Sequence, residues 1–494
     1  MRRICCAVLV VAAAVSLTGC ASRYFRDAGP PPEAPQHRLA DWPYREYWTG
    51  IVFNGNKVGY AHVRVNRAAD DPTRYEIAAD SALRLRFLGF DKRITLRSRD
   101  RVRADLALEV FDYAYTLDGA ELAVAGSWLE GTLRVRITNA GRTVERTLPA
   151  AEPPYPASAI TMIPVLRGLK LGAEYRYTVF SGEAQRLAEV TQRVEAYERS
   201  TLFEGEAWKV ATEMLDLRTT TWIDARGRPV LELGLNGVIV AGLEDEARAK
   251  RDLARGVLDK NDALLELSLI RTSTAIAEPR QATYLKLALL GPAAATLSPG
   301  GPGQPCRATA GGAECEIVVV PSPAELAQLA TDADGAHLRP SIAVPSDDPR
   351  IRELAAEVTA GRRTVTEQVA AVLDWMQRNI RREPADVFSA LDVLATGRAE
   401  CQGHAFLYAA MGRALGIPTR VVNGLVYVSE LGGFAYHAWN ESLIAGRWVA
   451  VDPMFGQLGA DATHIKLIVG ENLADLTPLA AWIGNTKIEI LAVR

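Results

Sequence analysis

The chain carries no excess of charge of either sign. Its 56 Lys and Arg residues are set against 59 Asp and Glu, a formal net charge of −3. No basic run is dense enough to track a phosphate backbone, so nucleic-acid binding has no electrostatic support. Long apolar runs are missing too. Cys5 to Val15 is too short to span a bilayer as a stable helix, and no later run reaches transmembrane length. Cysteine is scarce, with six in 494 residues. A hydrophobic content of 48% and a charged content of 23% are ordinary for a folded chain. The length suggests two to four domains of roughly 100–200 residues each.

The first residues read as targeting rather than fold. Arg2 and Arg3 form a short basic start before the apolar run, and Leu17-Thr18-Gly19-Cys20 follows it. That tetrapeptide resembles the lipobox of bacterial lipoproteins. The resemblance implies that 1–19 are a signal peptide, that cleavage falls before Cys20, and that Cys20 is lipidated on its sulfur and amine. Several acyl chains on one residue give durable membrane anchoring where one chain would not. In a Gram-negative host, Ala21 after the cysteine, in place of Asp, favours the outer membrane over retention at the inner one, with a periplasmic body. The bland alternative is an ordinary secretory signal with a coincidental cysteine. Residues 20–44 contain Gly29, Pro30, Pro31, Pro32 and Pro35 and are expected to form an extended tether.

With Cys5 and Cys6 removed and Cys20 lipidated, Cys306 and Cys315 remain as a near pair around a Gly-rich stretch. In an oxidising compartment they are expected to form a disulfide; the alternative leaves both free and exposed. Cys401 is then unpaired. A lone thiol in an oxidising compartment is a hazard unless it is used, which marks it as a candidate nucleophile.

Residues 45–275 read as mostly β, with alternating runs broken by turn signals such as Asn54-Gly55-Asn56, Asn139-Ala140-Gly141 and Asp224-Ala225-Arg226-Gly227. Ala150 to Pro156 is a Pro-rich break and a candidate subdivision. The expectation is one long curved sheet or two sandwich-like halves, and no catalytic constellation stands out. His62 reads as a packing or surface residue. Gly242 to Leu258 is charged and helical, with Glu244 and Glu246 four residues before Arg248 and Lys250. Residues 276–335 read as a small β-unit, and 340–494 as the catalytic domain. There, Asp347 or Asp348 caps a helix with Pro349 in its first turn, and Thr364 to Glu367 is a capping box.

The chemistry concentrates between Gly397 and Pro453. Cys401 opens an Ala- and Leu-rich helix stopped by Gly416 and Pro418. His437 and Asp452 lie on two strands joined at Ala445-Gly446-Arg447, a hairpin-length link, so their pairing is a local expectation and the Cys401–His437 contact a tertiary one. A helix N-terminus and a neighbouring imidazolium both lower a thiol pKa from about 8.5, and a carboxylate on the far ring nitrogen orients the imidazole.

The ordered set of the Cys-led helix ending in RALGIPTRVV, then HAW, then RWVAVDP resembles the transglutaminase-like superfamily of cysteine enzymes. The continuation FGQLGADATHIKL is similar to bacterial members. The resemblance covers roughly Pro345 to Arg494. It implies an α+β fold, with an N-terminal mostly-β region followed by a C-terminal papain/transglutaminase-like domain. It further implies a Cys401–His437–Asp452 triad and a thioester intermediate. Here Gln402 follows the cysteine, Ala399-Glu400 precede it, and Met454 follows Asp452-Pro453, where relatives commonly carry other residues. The oxyanion donor is expected to be the Cys401 N–H plus one unidentified side chain.

No cofactor is called for. A zinc site from Cys401, His404 and His437 lacks a fourth ligand and paired cysteines. His404 reads as pocket wall, Trp439 and Trp448 as core or cleft wall, Glu441 as undecided between orienting strands and facing substrate, and His464 receives no role. The expected partners are a peptide or protein substrate, including peptidoglycan peptides or an amine acceptor, and the membrane through the lipid anchor. The competing reading is a catalytically silent scaffold whose β-rich region binds an envelope partner.

Overall fold

The computed structural model describes residues 24–494 except 34–36, 54–55, 88–89, 216, 235–238, 256–268, 292–293, 295–302, 320–331, 333–334, 384, 473–474, 476–478 and 480–485. The signal segment and Cys20 lie outside the described residues. No helix among those described is long and apolar enough to cross a membrane.

The N-terminal region is one sheet. Eight consecutive strands, from Glu46–Phe53 to Arg142–Pro149, run as an antiparallel meander. A second run starts at Tyr155–Pro156 and ends at Ile239–Glu244, which pairs antiparallel with Glu46–Phe53. The strands at the two ends of this path are therefore joined by residues 150–154 alone. Strands sit about 4.8 Å apart, so fifteen laid flat would separate those ends by roughly 65 Å, whereas the link reaches about 20 Å at most. The sheet has to curl. It wraps around an apolar core in which Phe111, Phe180 and Trp208 are fully buried and to which both runs contribute. The Pro-rich break at 150–156 is thus the turn between the ends of one curved sheet and not a boundary between two halves.

The segment read as a tether is laid on this sheet. Phe25–Asp27 pairs with the strand Arg186–Ser200, and Phe25 stacks on Trp222 at 4.4 Å. Leu39, Trp42 and Tyr44 enter the core. The prolines break regular structure, but the aromatic and leucine side chains between them bury enough apolar surface to dock the segment. The charged helix forms at Glu246–Arg255, with the Lys250–Glu246 pair at 2.6 Å. His62 stacks on Trp48 at 3.7 Å.

In the C-terminal half, a helical layer packs on a six-stranded antiparallel sheet. Asp348 caps Pro349–Val358, and the Thr364–Glu367 capping box opens Val365–Asn379. The small β-unit at 276–335 does not stand alone. Its strands Tyr284–Leu290, Cys306–Thr309 and Gly312–Val318 are completed by Lys487–Val493 from the far end of the chain. Leu285, Leu287 and Leu289 share one core with Leu425, Phe434 and Ile465 of the six-stranded sheet. Cys306 and Cys315 face each other across this hairpin and are bridged. The fold is therefore α+β, a large β-rich region followed by a smaller mixed domain.

The two regions meet at a turn of the curved sheet. The Asn139 amide group donates to both oxygens of Asp392, at 3.2 Å each, and its carbonyl oxygen accepts from Ser389. Arg142 pairs with Asp347 at 2.6 Å. Ser389 and Asp392 form the capping box of the helix just before Cys401. Asn139→Ala would take one donor from the buried Asp392 carboxylate and the acceptor from the buried Ser389 hydroxyl, a loss of about 1–3 kcal/mol. Urea unfolding checks this, and a change within about 0.5 kcal/mol would show the contact to be idle.

Candidate active site

Cys401 is the first residue of the helix Cys401–Ala414. Gly397, at φ 65°, ends the preceding helix, and Arg398–Ala399 pairs with Arg381–Arg382, so the chain is held extended up to Glu400 at the helix cap. Gly403 lets this first turn close on its neighbours; a Cβ there would stand 2.6 Å from that of Ala399 and 3.1 Å from Val387 and Val393.

The helix lies on the strand Gly433–Ile444. Asn440 donates to the Ala405 carbonyl at 3.0 Å, and the Ser442 and Tyr408 hydroxyls meet at 2.9 Å, so the even-numbered residues face the helix. By strand alternation His437 and Trp439 face the other way. The hairpin turns at Ala445 and Gly446, both with positive φ (49° and 72°), the backbone of a two-residue primed turn. This sets the register from Ile444↔Arg447 to Asn440↔Val451, where pairing stops. Asp452 therefore lies just past the last pair, on the His437 face. Beyond that point the Ala438 amide points out of the hairpin ladder toward the Cys401 sulfur, where it favours the thiolate. The thiol thus reaches the strand at the peptide joining His437 to Ala438. Among the described hydrogen bonds none joins the sulfur to the imidazole.

His437 Nε2 donates to Asp452 Oδ2 at 2.7 Å. The acceptor is a carboxylate, so this nitrogen carries a proton, and Nδ1 is the ring nitrogen left to face other partners. Phe455 and Trp439 cover the ring at centroid distances of 5.0 and 6.2 Å. Asp452 is fully buried. Its Oδ1 accepts from the Met454 and Phe455 amides at 2.8 and 2.9 Å, and Oδ2 accepts a second bond, from His464 Nε2 at 2.9 Å. Burial alone would raise its pKa, but His437 and His464 outweigh burial and hold the carboxyl well below the usual range.

His464, left without a role in the sequence reading, is buried between two acids. Its Nδ1 donates to the Asp461 carbonyl at 3.0 Å and lies 3.4 Å from Asp461 Oδ1. Burial lowers its pKa, but the bonds to Asp452 and Asp461 prevail and lift it to about 9. A sequence signal was present: an acid three residues before a histidine, in a segment returning to the sheet that carries Asp452.

Cys401 departs from expectation. Burial, then the charges of Glu400 and Asp452, push the thiol up; the amides of Ala438 and Gln402 oppose them without prevailing. The helix N-terminus does not produce a lowered thiol because the residue at its cap is an acid and the sulfur is out of water. His404 is buried, with Nδ1 on the Glu400 carbonyl at 2.8 Å and Nε2 without a hydrogen-bond partner, and burial lowers its pKa. Glu441 orients strands: Arg420 holds it at 2.6 Å and Lys466 at 2.8 Å. Trp439 is core, and Trp448 carries Arg420 over its ring at 4.2 Å. One ligand atom each from His437, Asp452 and His464 lies within 4.8 Å of the others, a spacing that could gather a metal ion. Here the carboxylate accepts from both imidazoles, which accounts for the spacing.

Two outcomes follow from these shifts. A thiol held neutral should react with iodoacetamide more slowly at pH 7 than a free cysteine peptide, with the rate still climbing beyond pH 9. A fast plateau near pH 6 would instead reveal a preformed thiolate. His464 is raised on folding, so its stabilisation is full below about pH 6.5 and lost as pH rises through about 9. His464→Gln should therefore cost up to roughly 3 kcal/mol at pH 6 and much less at pH 10. A pH-independent cost in denaturant titrations would contradict the assignment.

A family model and several known proteins match parts of this chain. The transglutaminase-like superfamily model matches residues 352–453. Kyphoscoliosis peptidase of Mus musculus is 27% identical over 134 residues, 24% of this chain and 20% of that protein. The Homo sapiens protein is 29% identical over 122 residues, 21% and 18% respectively. The chain thus spans about a fifth of the length of these curated relatives. A Cytophaga hutchinsonii structure, provisionally assigned as a cysteine protease, overlaps 43% of this chain and 86% of its own at 17% identity and a TM-score of 0.27, too slight to carry weight. Cys401, His437 and Asp452 all fall inside the matched stretch, and residues 352–453 are a transglutaminase-like superfamily domain.

Proposed function

We propose that the protein is an envelope-anchored cysteine enzyme that transfers or hydrolyses acyl groups through Cys401, His437 and Asp452. One observation carries the reading: the thiol at the head of its helix rests on the peptide next to His437, whose far nitrogen is fixed by Asp452 at 2.7 Å. The sulfur attacks an amide or ester carbonyl while its proton passes to His437 Nδ1. That proton then goes to the departing amine or alkoxide as the bond breaks, leaving a thioester on Cys401. Water, deprotonated by the same nitrogen, releases an acid; an amine in its place releases a new amide. Asp452 keeps the Nε2–H tautomer and stabilises the imidazolium formed on the way. Because the resting thiol is neutral, His437 takes its proton during attack rather than beforehand.

The oxyanion is met by the Cys401 N–H and a second donor. Lipidation at Cys20 would tether the enzyme to the outer membrane, and the Cys306–Cys315 bridge suits an oxidising periplasm. Substrates of that compartment are peptides and proteins, peptidoglycan peptides among them, with amines as alternative acceptors.

A second reading is a silent transglutaminase-like scaffold whose curved sheet binds a partner. The raised thiol favours it, as does the lack of a sulfur–imidazole hydrogen bond among the described residues. Product masses decide between the readings. Peptidoglycan peptides and an unfolded protein are offered as donors, with and without a primary amine. Hydrolysed or amine-bearing products that fall by at least about 10³-fold in Cys401→Ala support the enzyme. Equal products from Cys401→Ala, or none from either protein, support the scaffold.

A further inference from the structure

Asp452 gives a single oxygen, Oδ2, to two histidines. We propose that His464 is a positioning residue of the acyl-transfer site, an imidazolium clamped by Asp461 that divides Asp452 Oδ2 with His437 and fixes the carboxylate for it. The inference rests on the functional reading above and adds a residue to it.

The protonation of His464 follows from its partners. Nδ1 faces a backbone carbonyl at 3.0 Å and Nε2 a carboxylate oxygen at 2.9 Å, both acceptors, so both nitrogens carry hydrogen. The clamp behind it is rigid. Asp461 Oδ1 accepts from the Thr463 amide at 2.9 Å, and Oδ2 accepts from Arg280 at 2.8 Å and Gln457 at 3.0 Å. Trp439 and Phe455 close on the ring edge-on at 5.1 and 6.1 Å. Arg280 and Arg382 stand over Phe455 at 4.3 and 5.9 Å. The charged and titratable groups around the two imidazoles are thus Asp452, Asp461, Arg280 and Arg382, with Cys401, His404 and Glu400 on the helix side.

The arrangement makes a relay of Arg280, Asp461, His464, Asp452 and His437, alternating in sign up to its last member. Asp452 is held at both oxygens, so it cannot turn from His437 without breaking bonds to a cation and to two amides. A lone carboxylate–histidine pair has no such restraint. When His464 loses its charge, Oδ2 loses a charge-assisted donor, and the His437 N–H bond to that oxygen must change with it. A histidine that only filled space would transmit nothing.

The test reads imidazole N–H resonances of the isotope-labelled full chain by NMR, with no substrate. In the wild type the His437 Nε2–H resonance should show an inflection near pH 9, at the midpoint where His464 titrates. His464→Gln should abolish that inflection. Asp461→Asn should move it down by about one unit or more, because one of the two anions holding the cation is gone. A His437 resonance that passes through pH 9 unchanged in the wild type, or an inflection that survives in His464→Gln, overturns the proposal. If His464→Gln does not fold, the Asp461→Asn shift decides. Coupling without turnover would retain the relay and remove the acyl-transfer reading; turnover without coupling would do the reverse.

Discussion

One buried carboxylate organises the C-terminal domain. Asp452 is fully buried, and an ionised carboxyl there is tolerable only because its oxygens accept from two amides and two imidazoles. Those donors come from three stretches of chain: the His437 strand, the turn after Pro453, and the segment ending at His464. Satisfying one anion therefore fixes the relative placement of all three. The same anion selects the tautomer of His437 and so decides which nitrogen is left to meet a thiol.

The thiol end is built by a different logic. Helix start, glycine at Gly403 and the open edge of the strand beyond Asn440↔Val451 bring the sulfur to the Ala438 amide. Burial and the acids at 400 and 452 keep it neutral there. A thiol held neutral in this way is a weaker nucleophile at rest than a thiolate. The curved sheet contributes to this region from outside. Its Asn139 turn holds the capping box of the helix immediately before Cys401, so the large β-region is mechanically joined to the site and not merely strung ahead of it.

What could be read from the residues was local. The Ala445-Gly446 turn, the caps at Asp348 and Thr364, and the break at Gly416 each depend on a few adjacent residues, and the His437–Asp452 bond follows from that hairpin's register. What escaped was decided at a distance. The curl of the sheet depends on its two end strands being neighbours in sequence across 150–154. The completion of the small β-unit by Lys487–Val493 joins segments some 200 residues apart. The docking of Phe25 and Leu39 needed knowledge of the surface that receives them. His464 was missed because Asp461, three residues before it, is only a local signal, and the bond to Asp452 forms only once the strand carrying Asp452 is folded beside it. The thiol pKa was misjudged because a helix N-terminus is a property of position, whereas desolvation is a property of the finished fold.

The most direct test is the structure of the protein after reaction with a peptide aldehyde, which a nucleophilic thiol captures as a thiohemiacetal. The account predicts a covalent bond to the Cys401 sulfur, His437 Nδ1 turned to the adduct within hydrogen-bond reach, and His437 Nε2 still seated on Asp452. An unmodified sulfur, or an adduct with the imidazole facing away from it, would contradict the account.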